Sequence, residues 1–141
     1  MKLNGINHIT FSVSNLEKSI KFYQDVFEAK ILVKGNKLAY FDINGLWIAL
    51  NVEKNVSRNE IYDSYTHISF SIDNKEYDHI LTKLKSFNVD IVEGRQRHIE
   101  EGKSIYFRDL DGHLFELHTK SRKDRIEFYK KYRKDLKFYS T

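Results

Sequence analysis

Hydrophobic and polar positions alternate strictly over residues 7–13, Asn-His-Ile-Thr-Phe-Ser-Val, and again over residues 66–72, Thr-His-Ile-Ser-Phe-Ser-Ile. A period of two predicts strands. One face of the first carries His8, Thr10 and Ser12, and the opposite face Ile9, Phe11 and Val13. The second repeats the arrangement with His67, Ser69 and Ser71 against Ile68, Phe70 and Ile72. After each stretch the apolar recurrence changes to a helical period. Ser14 or Asn15 caps a helix running to about residue 27, with Leu16, Ile20, Phe22, Tyr23 and Val26 toward a core. Asp73 or Asn74 caps another to about residue 87, striped by Tyr77, Ile80, Leu81 and Leu84. Three short β-like runs follow each helix, near residues 30–34, 37–43 and 46–51 in the first half and 90–94, 103–108 and 113–119 in the second. The chain thus reads as an α+β fold of two tandem βαβββ units, an internal duplication. The units span residues 1–53 and 65–119, with a polar, aperiodic linker at 54–64 and a tail at 120–141. Each sheet needs its apolar face for its helix, so the two polar faces are expected to close around a shared cleft.

Composition narrows the class. With 141 residues, 40% hydrophobic and 14% aromatic, the chain suits one packed soluble domain or two halves sharing a core. No apolar run approaches the roughly 18 residues of a membrane span, and the N-terminus lacks a signal-peptide pattern. The absence of cysteine excludes disulfides, thiolate ligands and a cysteine nucleophile, and fits a reducing cytoplasm. The net charge of +4 is concentrated in residues 119–141, with nine Lys or Arg against three Asp or Glu. There Ile126, Phe128, Tyr129 and Tyr132 recur at helical spacing over 124–134, which predicts a docked helix with a solvated basic face. Basic charge without a reading motif argues against nucleic acid as a partner.

Candidate chemistry centres on residues 104–118, a strand, a tight turn at Asp111-Gly112 and a second strand. Alternation puts Leu114, Glu116 and His118 on one face and Phe115 and Leu117 on the other. A carboxylate on a rigid polar face needs partners, and His8 and His67 are available at equivalent places in the two units. Aligning Gly45 with Gly112 sets Ala49 opposite Glu116, so one half offers a histidine and the other a histidine and a glutamate. Two imidazoles and a carboxylate suit a divalent first-row metal with positions left for substrate. A single histidine on a strand is by default only a polar residue. Here the repeat makes His8, His67 and Glu116 a convergent set, with His118 the one spare ligand on the same face. His79 on a helix and His98 in a charged loop are expected to be solvated. Tyr40, Trp47, Asn51 and Tyr106 share the cleft-facing parity, while Arg95 and Arg97 follow a strand and Arg125 lies on the terminal helix. Arginine forks and tyrosine hydroxyls are groups that an oxyanion requires.

Six segments in this order carry a resemblance: residues 7–13, Gly-Leu-Trp-Ile-Ala-Leu-Asn at 45–51, Tyr-Thr-His-Ile at 65–68, Glu-Gly-Arg at 93–95, Ser-Ile-Tyr-Phe at 104–107 and Asp-Gly-His-Leu-Phe-Glu-Leu-His at 111–118. Together they resemble the fosfomycin-resistance enzymes of the glyoxalase/vicinal-oxygen-chelate superfamily, and most nearly their metallothiol transferase branch, from the first strand to about residue 139. The resemblance implies Mn(II) or Mg(II) on His8, His67 and Glu116. It implies a fosfomycin phosphonate contacted by Tyr40, Trp47, Asn51, Tyr65, Arg95, Tyr106 and Arg125, and catalytic roles for Glu116 and for Thr10 beside the epoxide oxygen. It also implies a small thiol co-substrate, bacillithiol or L-cysteine, and a swapped homodimer. Thr10 stands where many of these transferases have cysteine and matches the glutathione-using branch instead. The added glutamate of a hydrolase branch is missing from residues 36–41, which favours a thiol over water. Other readings within the fold are a fosfomycin hydrolase, an iron dioxygenase and a metal-free drug-binding protein.

Overall fold

Both alternating stretches are edge strands. The computed structural model describes residues 1–139, and in it β1 (His8–Val13) leads through α1 (Leu16–Phe27) into β2 (Lys30–Lys34), β3 (Leu38–Ile43) and β4 (Leu46–Val52). These strands form a sheet of order β1-β4-β3-β2, in which β1 runs parallel to β4. After a linker that contains the short α2 (Asn59–Asp63), β5 (His67–Ser71) leads through α3 (Tyr77–Ser86) into β6 (Asp90–Val92), β7 (Ser104–Arg108) and β8 (Leu114–His118). The second sheet has the equivalent order, β5-β8-β7-β6, again with its first strand parallel to its last. Register supports the internal alignment: Thr10 pairs with Ala49, and Ser69 pairs with Glu116. Helix α4 (Arg122–Tyr132) closes the described chain, its N-terminus held by a reciprocal capping box between Ser121 and Asp124.

Helix boundaries follow capping chemistry. The Asn15 side chain accepts from the Lys18 amide and starts α1, while Glu28 in the left-handed region ends it. The second helix departs from expectation, because Asn74–Glu76 form a 3₁₀ turn before α3 and Asp73 makes no side-chain cap. The linker also departs from it. Arg58 gives it structure by donating to the Ser12 carbonyl (2.8 Å) and the Glu53 carbonyl (2.8 Å).

The core lies between the two sheets. Phe11, Val13, Phe41, Ile48 and Leu50 of the first and Ile105, Phe107, Phe115 and Leu117 of the second are all buried in one cluster. Helix α1 sits among them. Phe27 packs 5.7 Å from Phe70 and Phe107 and 5.0 Å from Phe115, and Tyr23 stacks on Phe41 at 6.0 Å. Each such side chain contributes roughly 1.5–3 kcal/mol by burial. Buried polar ties also cross between the units. The Tyr23 hydroxyl donates to Asp109 (2.9 Å), and burial together with that carboxylate pushes its pKa well up. Asp111 accepts from the Ser14 amide (3.1 Å) and pairs with Arg58 (3.1 Å). Asp111 therefore does not cap its own turn. Asp109 does, accepting from the amides of Asp111 (3.0 Å) and His113 (2.9 Å), while Gly112 takes φ +93° under the Tyr62 ring.

One consequence corrects the expected cleft. Within a single chain it is the apolar faces that meet, so the polar faces of the two sheets are directed away from the shared core. They do not close on each other.

Candidate metal centre

Strand alternation presents His67, Glu116, Ser104 and Tyr106 on the polar face of the second sheet. Tyr106 pairs directly with Glu116, and Ser104 with His118, across β7 and β8. Glu116 is buried and its Oε1 accepts three hydrogen bonds, from Ser104 Oγ (2.5 Å), Tyr106 OH (2.9 Å) and Arg97 Nη2 (3.0 Å). Oε2 faces His67 Nε2 at 3.3 Å. Burial alone would raise the Glu116 carboxyl. The hydrogen bonds from Ser104 and Tyr106 and the charge of Arg97 outweigh it and hold the group ionised below its ordinary range. The Tyr106 hydroxyl is pushed up by burial and by its bonds with Tyr65 and Glu116, so it stays a proton donor.

His67 Nδ1 lies 2.8 Å from the Tyr65 carbonyl, which accepts only, so in the neutral ring the proton sits on Nδ1 and Nε2 presents a lone pair. In that neutral form two acceptor atoms face each other. Ligand atoms each about 2.1 Å from a cation and about 90° apart stand about 3 Å from one another, so the pair fits a divalent metal such as Mn(II) or Mg(II). His8 is prepared in the same way, with Nδ1 against Asn7 Oδ1 at 2.7 Å and Nε2 left bare. Yet His8 belongs to the first sheet. Among the described residues no three His, Asp or Glu side chains of the chain converge on one point.

His118 extends the network. Its Nε2 accepts from Arg125 Nη2 (3.2 Å), so Nδ1 carries the proton and donates to Ser104 Oγ (2.7 Å), which in turn donates to Glu116. Burial, aided by Arg125 and Arg97, lowers the His118 pKa against the pull of Glu116 and keeps the ring neutral. His118 thus orients the carboxylate through a serine. His98 is not simply solvated, for its ring caps the 3₁₀ turn Ile99–Glu101 and packs 4.9 Å from Tyr132.

The oxyanion candidates divide between the sheets. Tyr65 bonds Tyr106 (3.1 Å), and Arg125 reaches His118, so these three join the Glu116 network. His8, Thr10, Tyr40, Trp47 and Asn51 lie on the first sheet, where Trp47 packs 4.5 Å from His8 and 5.2 Å from Tyr40. Thr10 and Asn51 are exposed. Arg95 stands outside the network, tied to the buried Glu101 carboxylate, while Arg97 holds Glu116. Among the described residues three buried donors meet no acceptor: Trp47 Nε1, Arg97 Nη1 and Arg125 Nε. Ser104 was legible in principle, since it shares parity with Tyr106. Choosing Arg97 over Arg95 was not, because a loop has no period.

Two repeated parallel-edged sheets, each preparing a histidine on its edge strand, define a metal-centre scaffold of the vicinal-oxygen-chelate type. The model of the "Glyoxalase/Bleomycin resistance protein/Dioxygenase superfamily" matches residues 5–117, and the chain belongs to that superfamily. Among curated proteins it is 55% identical to "Metallothiol transferase FosB" of Lysinibacillus sphaericus over 140 residues, covering 99% of both chains. It is 53% identical to the protein of the same name from Staphylococcus epidermidis, covering 97% of this chain and 99% of that one. Within the superfamily it is a member of the metallothiol transferase FosB family. Among solved structures, the fosfomycin resistance protein FosX of Listeria monocytogenes, a point mutant complexed with Mn(II) and 1S,2S-dihydroxypropylphosphonic acid, superposes with TM-score 0.81 at 32% identity. The match covers 89% of this chain and 99% of that one. FosX of Mesorhizobium loti gives 0.74 at 35% identity, with 89% and 99% covered.

Proposed function

We propose that the protein is a metal-dependent thiol transferase that inactivates fosfomycin by adding a small thiol, bacillithiol or L-cysteine, across its epoxide. The facing lone pairs of His67 Nε2 and Glu116 Oε2 carry this reading, with the FosB relatives in support. His67 and Glu116 hold Mn(II) or Mg(II) together with His8 of a second copy, since the polar face carrying His8 is open and does not meet Glu116 within the chain. The working form is then a homodimer, and its place is the cytoplasm, where small thiols stay reduced. No helix of the described residues is long and apolar enough to cross a membrane.

A divalent cation bound there supplies Lewis acidity toward the epoxide oxygen. The chain's own residues supply position and charge. Tyr65, Tyr106 and Arg125 present hydroxyl and guanidinium donors to the phosphonate from the second sheet, and Tyr40, Trp47 and Asn51 complete the enclosure from the first. Arg95 joins them from the loop once it exchanges Glu101 for the phosphonate. Fixing the anion holds the neighbouring carbon in line for attack. The sulfur comes from solution, because the chain has no cysteine. A carbon–sulfur bond forms as the carbon–oxygen bond breaks, and the thiol proton ends on the oxygen, to which Thr10 donates a hydrogen bond. A free thiol with pKa of about 8.5 already holds some thiolate near neutrality, so no added base is required.

The test is mass spectrometry of fosfomycin incubated with protein and Mn(II), with and without each thiol. Adduct only in the presence of thiol is expected. A diol formed at comparable rate without thiol shows a hydrolase instead, and no product with any thiol leaves a metal-binding or drug-binding protein.

A further inference from the structure

Arg97 leaves the connection between β6 and β7 and lays its guanidinium over the polar face of the second sheet, with only 10% of the side chain exposed. Nη2 donates to both Tyr106 OH (2.7 Å) and Glu116 Oε1 (3.0 Å), and the cation lies 5.9 Å from the Tyr106 ring centre. Nη1 is buried and donates to none of the described residues. A buried N–H of a charged group is costly to leave unmade, so this atom is arranged for an acceptor that arrives with a ligand.

The surrounding loop is built to keep it there. Glu101, 6% exposed, accepts from Arg95 Nη1 (3.2 Å) and from the His98 amide (2.9 Å). Glu100 takes Lys131 Nζ (3.0 Å) and Tyr132 OH (2.8 Å) from α4. One arginine thus braces the loop while its neighbour reaches inward. Arg97 also lines a cavity of about 730 Å³ with Arg95, Lys103, Ser104, Tyr106 and Lys120, and no carboxylate of the described residues lines it. Arg95 and Arg97 are each offset by a carboxylate, Glu101 and Glu116, so Lys103 and Lys120 supply the remaining positive charge, which favours an oxyanion.

We propose that Arg97 is a substrate-binding residue, taking a phosphonate oxygen on Nη1 while Nη2 steadies Glu116 with Oε2 turned to His67. A planar fork serves both at once, which an ammonium does not. The assignment rests on the phosphonate substrate proposed above, and Arg97 is distinct from the arginines that the family resemblance supplied.

The experiment uses full-length Mn(II)-loaded protein with Arg97→Met and Arg97→Lys. Inorganic phosphate and fosfomycin binding are measured by calorimetry without thiol, Mn(II) affinity by electron paramagnetic resonance, and the thiol KM by turnover. Arg97→Met should weaken both phosphate and fosfomycin at least about tenfold, the effect of one charge-assisted hydrogen bond. Mn(II) affinity should fall no further than in Ser104→Ala, with Mn(II) kept saturating during the anion titrations, thiol KM should stay within about threefold, and Arg97→Lys should recover part of the phosphate binding. Unchanged phosphate binding overturns the proposal. So does an effect on thiol KM alone, which would assign Arg97 to the thiol, or a loss of Mn(II) as large as that of Glu116→Gln, which would make its role structural. Should Arg97→Met not fold, Arg97→Lys decides, since normal phosphate binding with a point charge refutes the need for the fork. Wild-type protein that binds phosphate but never converts fosfomycin defeats the proposed reaction and leaves the phosphate comparison valid.

Discussion

His67 Nε2 and Glu116 Oε2 face each other at 3.3 Å, and the Tyr65 carbonyl accepts from the ring's other nitrogen. In the neutral ring this turns two lone pairs toward one point, a geometry that a divalent cation fits. Every other contact of Glu116 falls on Oε1, so the second oxygen is kept free by construction.

Glu116→Gln removes the charge that offsets the cation and should weaken Mn(II) binding by at least about a hundredfold. Ser104→Ala, which only orients the carboxylate, should cost roughly 10–100-fold. Both are read by metal titration, and full Mn(II) affinity in Glu116→Gln would remove Glu116 from the ligand set.

His8 and Glu116 lie on faces directed away from a common core, which motivates a test of shared sites. Mixing inactive His8→Ala with inactive Glu116→Gln subunits should restore activity, since in a heterodimer one site carries both lesions and the other neither. Absence of recovery, with exchange confirmed by mass spectrometry and dimers by light scattering, argues against a cross-chain centre.

The Arg95 hydrogen bond is the largest cause that lowers Glu101 to about 2 from an ordinary carboxyl value of 4.5. A lowered folded pKa stabilises above the unfolded value and is lost as pH falls through the folded one. Wild type should therefore exceed Glu101→Gln in stability at pH 6–7, and the gap should narrow between pH 4.5 and about 2. Urea midpoints at a series of pH values measure this. A gap constant down to pH 3 would contradict it.

Asp111 is 4% exposed and serves both the Ser14 amide and Arg58, so Asp111→Ala strands two donors at the junction of the units. The expected loss is about 3 kcal/mol in chemical denaturation. A loss under 1 kcal/mol would show that the aromatic contacts of Phe27 and Phe115 suffice to join them.

Gly94 lies against the Tyr106 ring, and an added Cβ would sit 2.9 Å from a ring carbon. Gly94→Ala should cost roughly 1–3 kcal/mol of stability, as overpacking does. The cost should largely vanish in a Tyr106→Ala background, which thermal melts of the double-mutant cycle resolve.

Much was written in local pattern. Periods of two and of helical spacing delimit seven of the eight strands to within a residue and place α1 at Leu16–Phe27, and the repeat of residues 7–13 at 66–72 announces the duplication. Strand parity also assigns His8, His67, Glu116 and Tyr106 to polar faces, because successive side chains must point to opposite sides. Three things needed the folded chain. Asp109 caps the turn in place of Asp111, since long-range contact brings Ser14 and Arg58 to the Asp111 carboxylate. Arg97 rather than Arg95 reaches Glu116, because Glu101, which ends a 3₁₀ turn in the same loop, holds the Arg95 guanidinium. Last, alternation states which side of a strand a residue occupies, not what comes to face that side. Burial of Phe11, Phe27 and Phe115 in one core turned the apolar faces together and left His8 and Glu116 on faces directed away from it.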